Sequence, residues 1–239
     1  MSEVTPRPED QSSASRVDKA YHDLRSRLLS GHFAPNARLT EAELTSLLDV
    51  SRGTVRSVLV RLAHEGYLTS EPNRGVRTRV FTVDEALAVL EAREVLESAL
   101  ARAAAERVTD LELEALARTC DQMRAAEYAR NAAEYSRLNR EFHRQVRAAA
   151  RQPILSGFVD ALVYPLVMRQ YRDLTTRHPR ADSLSEHLAI LAAVQTRNPA
   201  ASAAAMRHHV SSARRALLLN THRAAEQTEH PPAGEKRGR

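Results

Sequence analysis

Three histidines that lie far apart in the sequence share one local setting, since each falls in a stretch with helical spacing. They occur in LNREFHRQV, SEHLAIL and AAMRHHVSSAR, as His143, His187 and either His208 or His209. Imidazoles from three helices could bind a divalent metal ion together with one oxygen ligand. Asn139 precedes His143 by four residues and shares its helix face. The spacing raises the hypothesis of a metal centre; the alternative is that these are ordinary surface or core histidines.

Arginines concentrate in the front part of the chain. Residues 16–80 carry eleven Lys/Arg against seven Asp/Glu, a balance of 11 − 7 = +4, whereas residues 81–223 carry twenty against seventeen, or +3 over more than twice the length. Guanidinium groups are suited to phosphates and to guanine edges. The clustering favours a nucleic-acid partner for the front of the chain.

The elements that must position the arginines follow from capping residues and glycines. Thr40 with Glu43 forms a capping box, Ser51 is an N-cap, and Gly66 is a stop signal. We predict helices from Arg16 to Gly31, from Thr40 for two turns and from Ser51 to about Glu65, followed by strands at 67–70 and 76–81. Three helices and a two-stranded ribbon make a winged helix-turn-helix domain over residues 16–80.

Residues 83–223 show a long series of helical patterns with almost no strand signal. Start signals are the predicted capping boxes Thr82/Glu85, Thr109/Glu112 and Ser183/Glu186, then Asn131, Pro153 and Asn198–Pro199, while Pro165 is expected to kink the helix that Pro153 opens. The predicted fold class is mainly α, a winged helix-turn-helix followed by an all-α bundle of six to seven helices. Residues 1–15 and 224–239 have little apolar content and are predicted to be disordered tails.

The third predicted helix combines a packing face with a basic face. Val55, Val58, Leu59 and Leu62 form one apolar stripe, and the arginines lie away from it. A helix in the major groove contacts bases mainly through its first turn, and a Gly-centred wing can approach phosphates. The predicted DNA-binding residues are Ser51, Arg52, Thr54, Arg56, Arg74, Gly75 and Arg77. The alternative interpretation is a solvated basic face.

The stretch RLTEAELTSLLDVSRGTVRSVLVRLAHEGYLTSEPNRGVRTRV resembles the N-terminal domain of GntR-family transcriptional regulators. That family shares Leu-x-Glu-x-x-Leu-Ala, Val-Ser-Arg-x-x-Val-Arg and Arg-Gly patterns. The resemblance covers residues 16–80 and implies a homodimeric repressor that binds a palindromic double-stranded DNA operator. Gly53 removes a side chain from the recognition helix, which affects the expected base preference.

Residues 83–223 resemble the FCD-type effector domain of the FadR-like subgroup. Its Asp-x-x-Phe-His, Glu-His-x-x-Ile and Met-x-x-His segments correspond to Asn139 to His143, Glu186 to Ile190 and Met206 to His209. The resemblance implies a divalent metal ion, zinc, nickel or manganese, bound by Asn139, His143, His187 and His209. Asn139 departs from the usual Asp, and the neutral amide is expected to lower metal affinity.

VLEAREVLESALARAAA is similar to the first helix of that effector domain, and its Arg93 matches an arginine that often faces the ligand cavity. A cation opposite Arg93 would suit a small organic acid. The alternative for Arg93 is an exposed pair with Glu97, four residues on.

Three function classes remain open at this point. The interpretation we favour is a cytoplasmic, ligand-responsive regulator that is not an enzyme and has no membrane segment, since no run of 18 uncharged apolar residues occurs. The first alternative is a metal-dependent hydrolase with a basic nucleic-acid-targeting module, although no carboxylate stands at motif spacing as a general base. The second is an architectural DNA-binding protein without an effector.

Overall fold

The computed structural model describes residues 8–71, 75–171 and 182–229. The chain divides into two compact units. Unit 1 runs to Phe81 and also includes Pro165–Gln170, and unit 2 comprises Thr82–Tyr164 and the chain from Tyr171 onward. The predicted fold class, mainly α with a small winged helix-turn-helix at the front, is confirmed.

The described residues of unit 1 form three helices and a small sheet before Phe81. The elements are α1 Pro8–Ser30, β1 Arg38–Leu39, α2 Glu41–Leu48, α3 Arg52–His64, β2 Leu68–Glu71 and β3 Gly75–Thr78. The predicted capping box at Thr40 and Glu43 and the predicted N-cap at Ser51 are both present. The predicted starts of α2 and α3 are therefore confirmed.

The sheet has three strands in the order β1-β3-β2, rather than the predicted two. Arg38 pairs with Arg77 and Leu39 with Val76, while Leu68 pairs with Thr78, and both strand pairs are antiparallel. We predicted no strand at residues 38–39, because a two-residue strand gains its identity only from a distant partner. The prediction that β3 continues to Phe81 was also wrong, since the strand ends at Thr78.

Helix α1 begins at Pro8, eight residues before the predicted start at Arg16. Residues 8–15, assigned from composition to a disordered tail, are therefore helical. Once a helix is nucleated, each further residue adds a backbone hydrogen bond, so a strong helix can extend into polar sequence. Proline is compatible with this start because the first turn needs no amide hydrogen from it.

The core of unit 1 forms where α1 packs against α3. Leu24 and Leu28 of α1 and Val55 and Val58 of α3 are fully buried, as the predicted apolar stripe requires. Arg61 of α3 lies off the stripe and reaches back to α1, where its guanidinium stacks 3.6 Å from the centroid of the Tyr21 ring. The apolar face of α3 is therefore used for packing, and its opposite face stays exposed.

Unit 2 is built from helices only, within the part of the chain that the structure describes. The helices after Phe81 are α4 Val83–Arg107, α5 Asp110–Tyr128, α6 Ala132–Ala150, α7 Pro153–Ala161, α8 Tyr164–Gln170, α9 Ser183–Gln195 and α10 Pro199–Glu229. Helix α10 packs along α4, while α6 packs against both α4 and α5. The capping boxes predicted at Thr82 and Thr109 and the N-cap predicted at Asn131 are present.

Three predictions about the second half of the chain were wrong. The Ser183/Glu186 capping box does not form, since Asp182 occupies the N-cap position without a side-chain cap. Pro165 does not kink a continuous helix: α7 ends at Ala161, Val163 adopts a positive φ of 46°, and α8 starts afresh. The predicted tail from residue 224 is helical as far as Glu229, and residues 230–239 lie outside the described residues.

Most of helix α8 belongs to unit 1, although its sequence lies within the predicted effector domain. Arg169 donates from Nη1 to the Leu28 carbonyl at 2.7 Å and from Nη2 to the Phe33 carbonyl. Gln170 accepts from the Phe81 amide at 2.8 Å and donates to the Phe81 carbonyl at 2.6 Å. These bonds satisfy backbone groups at the end of α1 and at the end of the sheet region.

Among the described helices, none combines the length and apolar character needed to cross a membrane.

Candidate metal centre and nucleic-acid interface

The three predicted histidines converge, each from a different helix. His143 is on α6, His187 on α9 and His209 on α10, and all three side chains are buried. One ligand atom from each lies within 4.8 Å of the others. Nε2 of His143 is 3.2 Å from Nε2 of His209, and Asn139 Oδ1 is 2.7 Å from His187 Nε2. The neighbouring His208 is exposed on its helix, as the choice of His209 requires.

Each histidine is held at Nδ1 by an acceptor, so that Nε2 faces the common centre. Glu97 Oε2 lies 2.5 Å from Nδ1 of His143, and Glu186 Oε2 lies 2.9 Å from Nδ1 of His209. For His187 the acceptor is the Ser183 carbonyl, at 2.6 Å. An acceptor at Nδ1 fixes the tautomer and orientation of a metal-binding imidazole.

The number of N–H protons on the three imidazole rings tests whether this arrangement suits a cation. If His143 and His209 donate from Nδ1 to their carboxylates, their Nε2 atoms face each other as two lone pairs. His187 likewise has carbonyl oxygens against both ring nitrogens, although a neutral imidazole carries only one N–H. A cation shared by the Nε2 atoms and Asn139 Oδ1 removes both conflicts, as would additional protons.

The distance between two of the imidazole nitrogens also agrees with metal coordination. Metal–nitrogen bonds of about 2.0–2.1 Å place two ligand nitrogens roughly 2.8–3.4 Å apart for angles between square and tetrahedral. The observed 3.2 Å between the Nε2 atoms of His143 and His209 falls within that interval. Phe142 packs edge-on against His187 with ring centroids 5.1 Å apart, which restricts rotation of the imidazole. The residues present therefore fit a divalent ion bound by three imidazoles and one amide oxygen.

Arg93 and Glu97 form an ion pair next to this cluster, and both side chains are buried, at 5% and 2% exposure. Arg93 Nε donates to Glu97 Oε1 at 2.5 Å, and the Arg93 guanidinium lies over the Tyr164 ring, 3.5 Å from its centroid. The predicted i, i+4 pair exists, but the alternative that described it as exposed was wrong. Arg93, Glu97 and His143 thus form one buried chain of charged and polar groups.

Burial and charge act in opposite directions on this pair. Burial raises the pKa of Glu97, but the charge of Arg93 and the hydrogen bonds from Arg93 and His143 outweigh it and hold the pKa well below its usual range. Burial lowers the pKa of Arg93, whereas the Glu97 carboxylate raises it, and the net shift is upward. Glu97 is therefore an ionised carboxylate that accepts hydrogen bonds from both Arg93 and His143.

The predicted recognition residues lie together at the start of α3. Ser51 and Arg52 are exposed, Thr54 is half-buried, and the Ser51 hydroxyl accepts from the Thr54 amide at 3.2 Å. Arg56 is also exposed but is paired with Glu41 of α2, with Nε 2.7 Å from Oε1. The first turn of α3 thus presents hydroxyl and guanidinium groups to solvent.

The predicted wing is described only in part, because Arg74 lies outside the described residues. Gly75 begins β3 with a positive φ of 87°, a conformation that favours glycine. Arg77 follows two residues later and donates to the Asn36 carbonyl at 3.0 Å. This bond holds Arg77 against the turn before β1, at the side of the sheet rather than at the tip.

Two residues that the sequence interpretation did not include complete the cluster. Glu97 appeared only as the partner of Arg93, and Glu186 only as a helix cap and as the first residue of the Glu-His-x-x-Ile segment. The spacing of Glu97 four residues after Arg93, and of Glu186 immediately before His187, gave no sign that both would accept from histidine. Contacts between helices distant in sequence decide these partners, and one sequence does not reveal them.

Two stretches of the sequence match known protein families. Residues 16–78 match the family described as bacterial regulatory proteins, gntR family, and residues 88–212 match the FCD domain. The Nta operon transcriptional regulator of Aminobacter aminovorans is 40% identical over 88 residues, 37% of this chain and 42% of that protein. The HTH-type transcriptional repressor RspR of Escherichia coli strain K12 is 26% identical over 190 residues, 80% of this chain and 83% of that protein.

Solved structures with the same fold include E. coli McbR/YncC, with a TM-score of 0.70 and 19% identity. That comparison covers 89% of this chain and 98% of the other. A GntR-family transcriptional regulator from Pseudomonas syringae pv. tomato str. DC3000 has a TM-score of 0.52 and 21% identity, covering 90% of this chain and 88% of that one. At these identities the likeness shows the fold alone.

Proposed function

Because the chain belongs to the gntR family of bacterial regulatory proteins and is a transcriptional regulator with an FCD effector domain, we propose that it is a homodimeric repressor. The repressor binds a palindromic operator and releases it on sensing a small organic acid. Its sensing site consists of a divalent metal ion and the side chain of Arg93, which both contact the acid. The observation that supports the metal site is the convergence of the Nε2 atoms of His143, His187 and His209 on one centre. We place the protein in the cytoplasm because its DNA partner lies there.

DNA recognition is assigned to the start of α3 and to the wing. Ser51, Arg52, Thr54 and Arg56 are proposed to enter the major groove, with Arg52 and Arg56 reading guanine O6 and N7. To contact DNA, the Arg56 guanidinium must break its ion pair with Glu41, which joins α3 to α2. The DNA contact of Arg56 therefore competes with this ion pair. Arg74, Gly75 and Arg77 are proposed to contact the DNA backbone.

The proposed metal ligands are His143, His187, His209 and Asn139. Imidazole nitrogens and one amide oxygen suit zinc, nickel or manganese, with imidazole favouring the first two. When bound, the ion supplies a Lewis-acid site that polarises and holds a carboxylate oxygen. The chain itself supplies the orientation of the three rings through their Nδ1 acceptors.

Arg93 is the proposed second contact for the organic acid. A guanidinium carries five N–H donors in a fixed plane, and Glu97 accepts from the one at Nε. The carboxylate of an effector would pair with the same guanidinium group and with the metal ion. Because Arg93 is buried on α4, we expect a bound acid to alter the packing of this helix.

The homodimer and the repressor role have separate support. One winged helix reads one half-site, so a palindromic operator requires two copies related by a two-fold axis. The relative RspR is named a transcriptional repressor, and it matches over most of both chains. An effector acts only through different affinities for the DNA-competent and DNA-incompetent arrangements.

The proposed function is tested with DNA selected from a random library by the metal-loaded protein. Fluorescence anisotropy then measures the affinity for the selected sequence in the presence of a series of small mono-, di- and tricarboxylic acids. We expect a palindromic sequence and a 5- to 150-fold loss of affinity with the correct acid, the usual range of allosteric coupling. Arg93→Ala is expected to keep operator binding and lose the response.

Selected sequences without two-fold symmetry would refute the palindromic operator. A response of Arg93→Ala with the wild-type concentration dependence would refute the assignment of Arg93 to the effector site. Light scattering, which should give about twice the chain mass of 26.6 kDa, tests the homodimer independently.

A further inference from the structure

We infer that the buried carboxylates of Glu97 and Glu186 are positioning residues that supply the proposed metal centre with the negative charge its direct ligands lack. This inference rests on the proposed function. It concerns residues that would not touch the ion and that act through His143 and His209.

The direct ligands of the proposed site are all neutral. Three imidazoles and the Asn139 amide would surround the ion without an anion among them. Burying a doubly charged ion among neutral groups is unfavourable, because the charge loses its hydration without gaining a counter-charge. A site of this composition therefore needs anions close to the ligand shell.

The structure provides two such anions in equivalent positions. The side chains of Glu97 and Glu186 are only 3% and 6% exposed, and each accepts from the Nδ1 of one histidine. They approach from different helices, α4 and α9, on the side of the ring opposite Nε2. At His187 the acceptor facing Nδ1 is the Ser183 carbonyl. The outer groups are thus two carboxylates and one backbone carbonyl.

A carboxylate at Nδ1 has two effects on an imidazole ligand. It fixes the proton at Nδ1, which leaves the Nε2 lone pair for the ion, and it increases the donor strength of that lone pair. Glu97 shares its charge with Arg93, whereas Glu186 faces His209 and, at 4.0 Å, the exposed His208. The negative charge that Asn139 does not provide is therefore carried by two carboxylates on the far side of the imidazole rings.

The test measures the affinity of the purified full-length protein for Co²⁺, by competition with a chelator and by the visible absorption of the bound ion. Glu97→Gln and Glu186→Gln remove the charge and keep an amide oxygen that can still accept a hydrogen bond. Glu91→Gln is the matched control, since Glu91 is on α4 with its side chain 70% exposed. Circular dichroism confirms that each variant is folded.

We expect each of the two buried variants to bind Co²⁺ about 10- to 100-fold more weakly, the range for lost outer partners of metal ligands. Glu91→Gln should remain within twofold of wild type. Asn139→Asp, added to Glu186→Gln, moves an anion into the ligand set and should restore most of the lost affinity. A merely structural role of Glu186 would leave the gain from Asn139→Asp the same in the wild type and in Glu186→Gln.

Folded Glu97→Gln and Glu186→Gln proteins that bind Co²⁺ within threefold of wild type would overturn the inference and leave the metal centre standing. The same holds if Asn139→Asp raises the Co²⁺ affinity by the same factor in the wild type and in Glu186→Gln. A wild-type protein that binds no Co²⁺ would instead overturn the proposed metal centre, and this inference with it.

Discussion

Adding a divalent metal ion to chelator-treated protein should raise its melting temperature, and two adjacent histidines provide a variant and its control. His209 is 4% exposed and has its Nε2 3.2 Å from that of His143. His208 points to solvent, with 67% of its side chain exposed. His209→Ala removes one of three imidazoles from the proposed site, while His208→Ala removes the same group from the surface one residue earlier.

The expected magnitude follows from ligand linkage. An ion at 100 times its Kd that binds only the folded protein adds about 2.7 kcal/mol of stability. For a chain of 239 residues, each kcal/mol corresponds to roughly 2–4 °C, so the wild type should gain about 5–11 °C. His208→Ala should show the same gain. In His209→Ala the gain should disappear at that concentration.

The difference with and without metal is the relevant quantity, because His209→Ala also has a direct cost. It removes the His209 Nδ1 donor that lies 2.9 Å from the buried Glu186 carboxylate, and the loss of a hydrogen bond to a charged group costs about 1.5–3 kcal/mol. Differential scanning calorimetry with Zn²⁺ or Ni²⁺ and with excess chelator measures both effects. A full metal-induced gain in His209→Ala, or its loss in His208→Ala, would refute the proposed ligand set.

Three further predictions concern other parts of the chain. Arg52→Ala and Arg56→Ala should each abolish the preference for operator over scrambled DNA while leaving the helical circular dichroism unchanged; anisotropy with both DNAs checks this, and retained discrimination in both variants contradicts it. Arg77→Ala should weaken binding to all sequences and reduce the slope of log affinity against log salt by about one, so a sequence-dependent loss counts against a backbone contact. Thr109→Ala removes the N-cap of α5 and should cost about 1 kcal/mol in urea unfolding, and an unchanged midpoint would show that the cap contributes little.

Features that depend on neighbours in the sequence were predicted well. The caps at Thr40, Ser51, Thr82 and Thr109 were placed correctly because a capping side chain bonds to a backbone amide within the same turn. The apolar stripe of α3 is likewise a property of spacing within one helix. The helical bundle as a whole could be predicted for the same reason.

Features that depend on distant partners were predicted less well. Ser183 and Glu186 have capping-box spacing, but Glu186 accepts from His209 of another helix, a buried bond that the local pattern cannot reveal. Residues Arg38–Leu39 form a strand only because β3 lies beside them. The convergence of the histidines was anticipated from family segments, whereas the depth at which Arg93 and Glu97 are buried depends on how α4 packs.

Because Pro165–Gln170 belongs to unit 1, the DNA-reading unit is not a contiguous piece of the gene. A fragment ending at Phe81 would leave the Leu28 and Phe33 carbonyls without Arg169 and the backbone of Phe81 without Gln170. Such a fragment should be harder to express as a stable protein than its helical content suggests. A chimaera that joins residues 1–81 to another effector domain would inherit the same deficit, unless the new partner brings an equivalent pair of side chains. Exchange of effector domains in this architecture is therefore constrained by a six-residue segment that lies more than eighty residues beyond the junction.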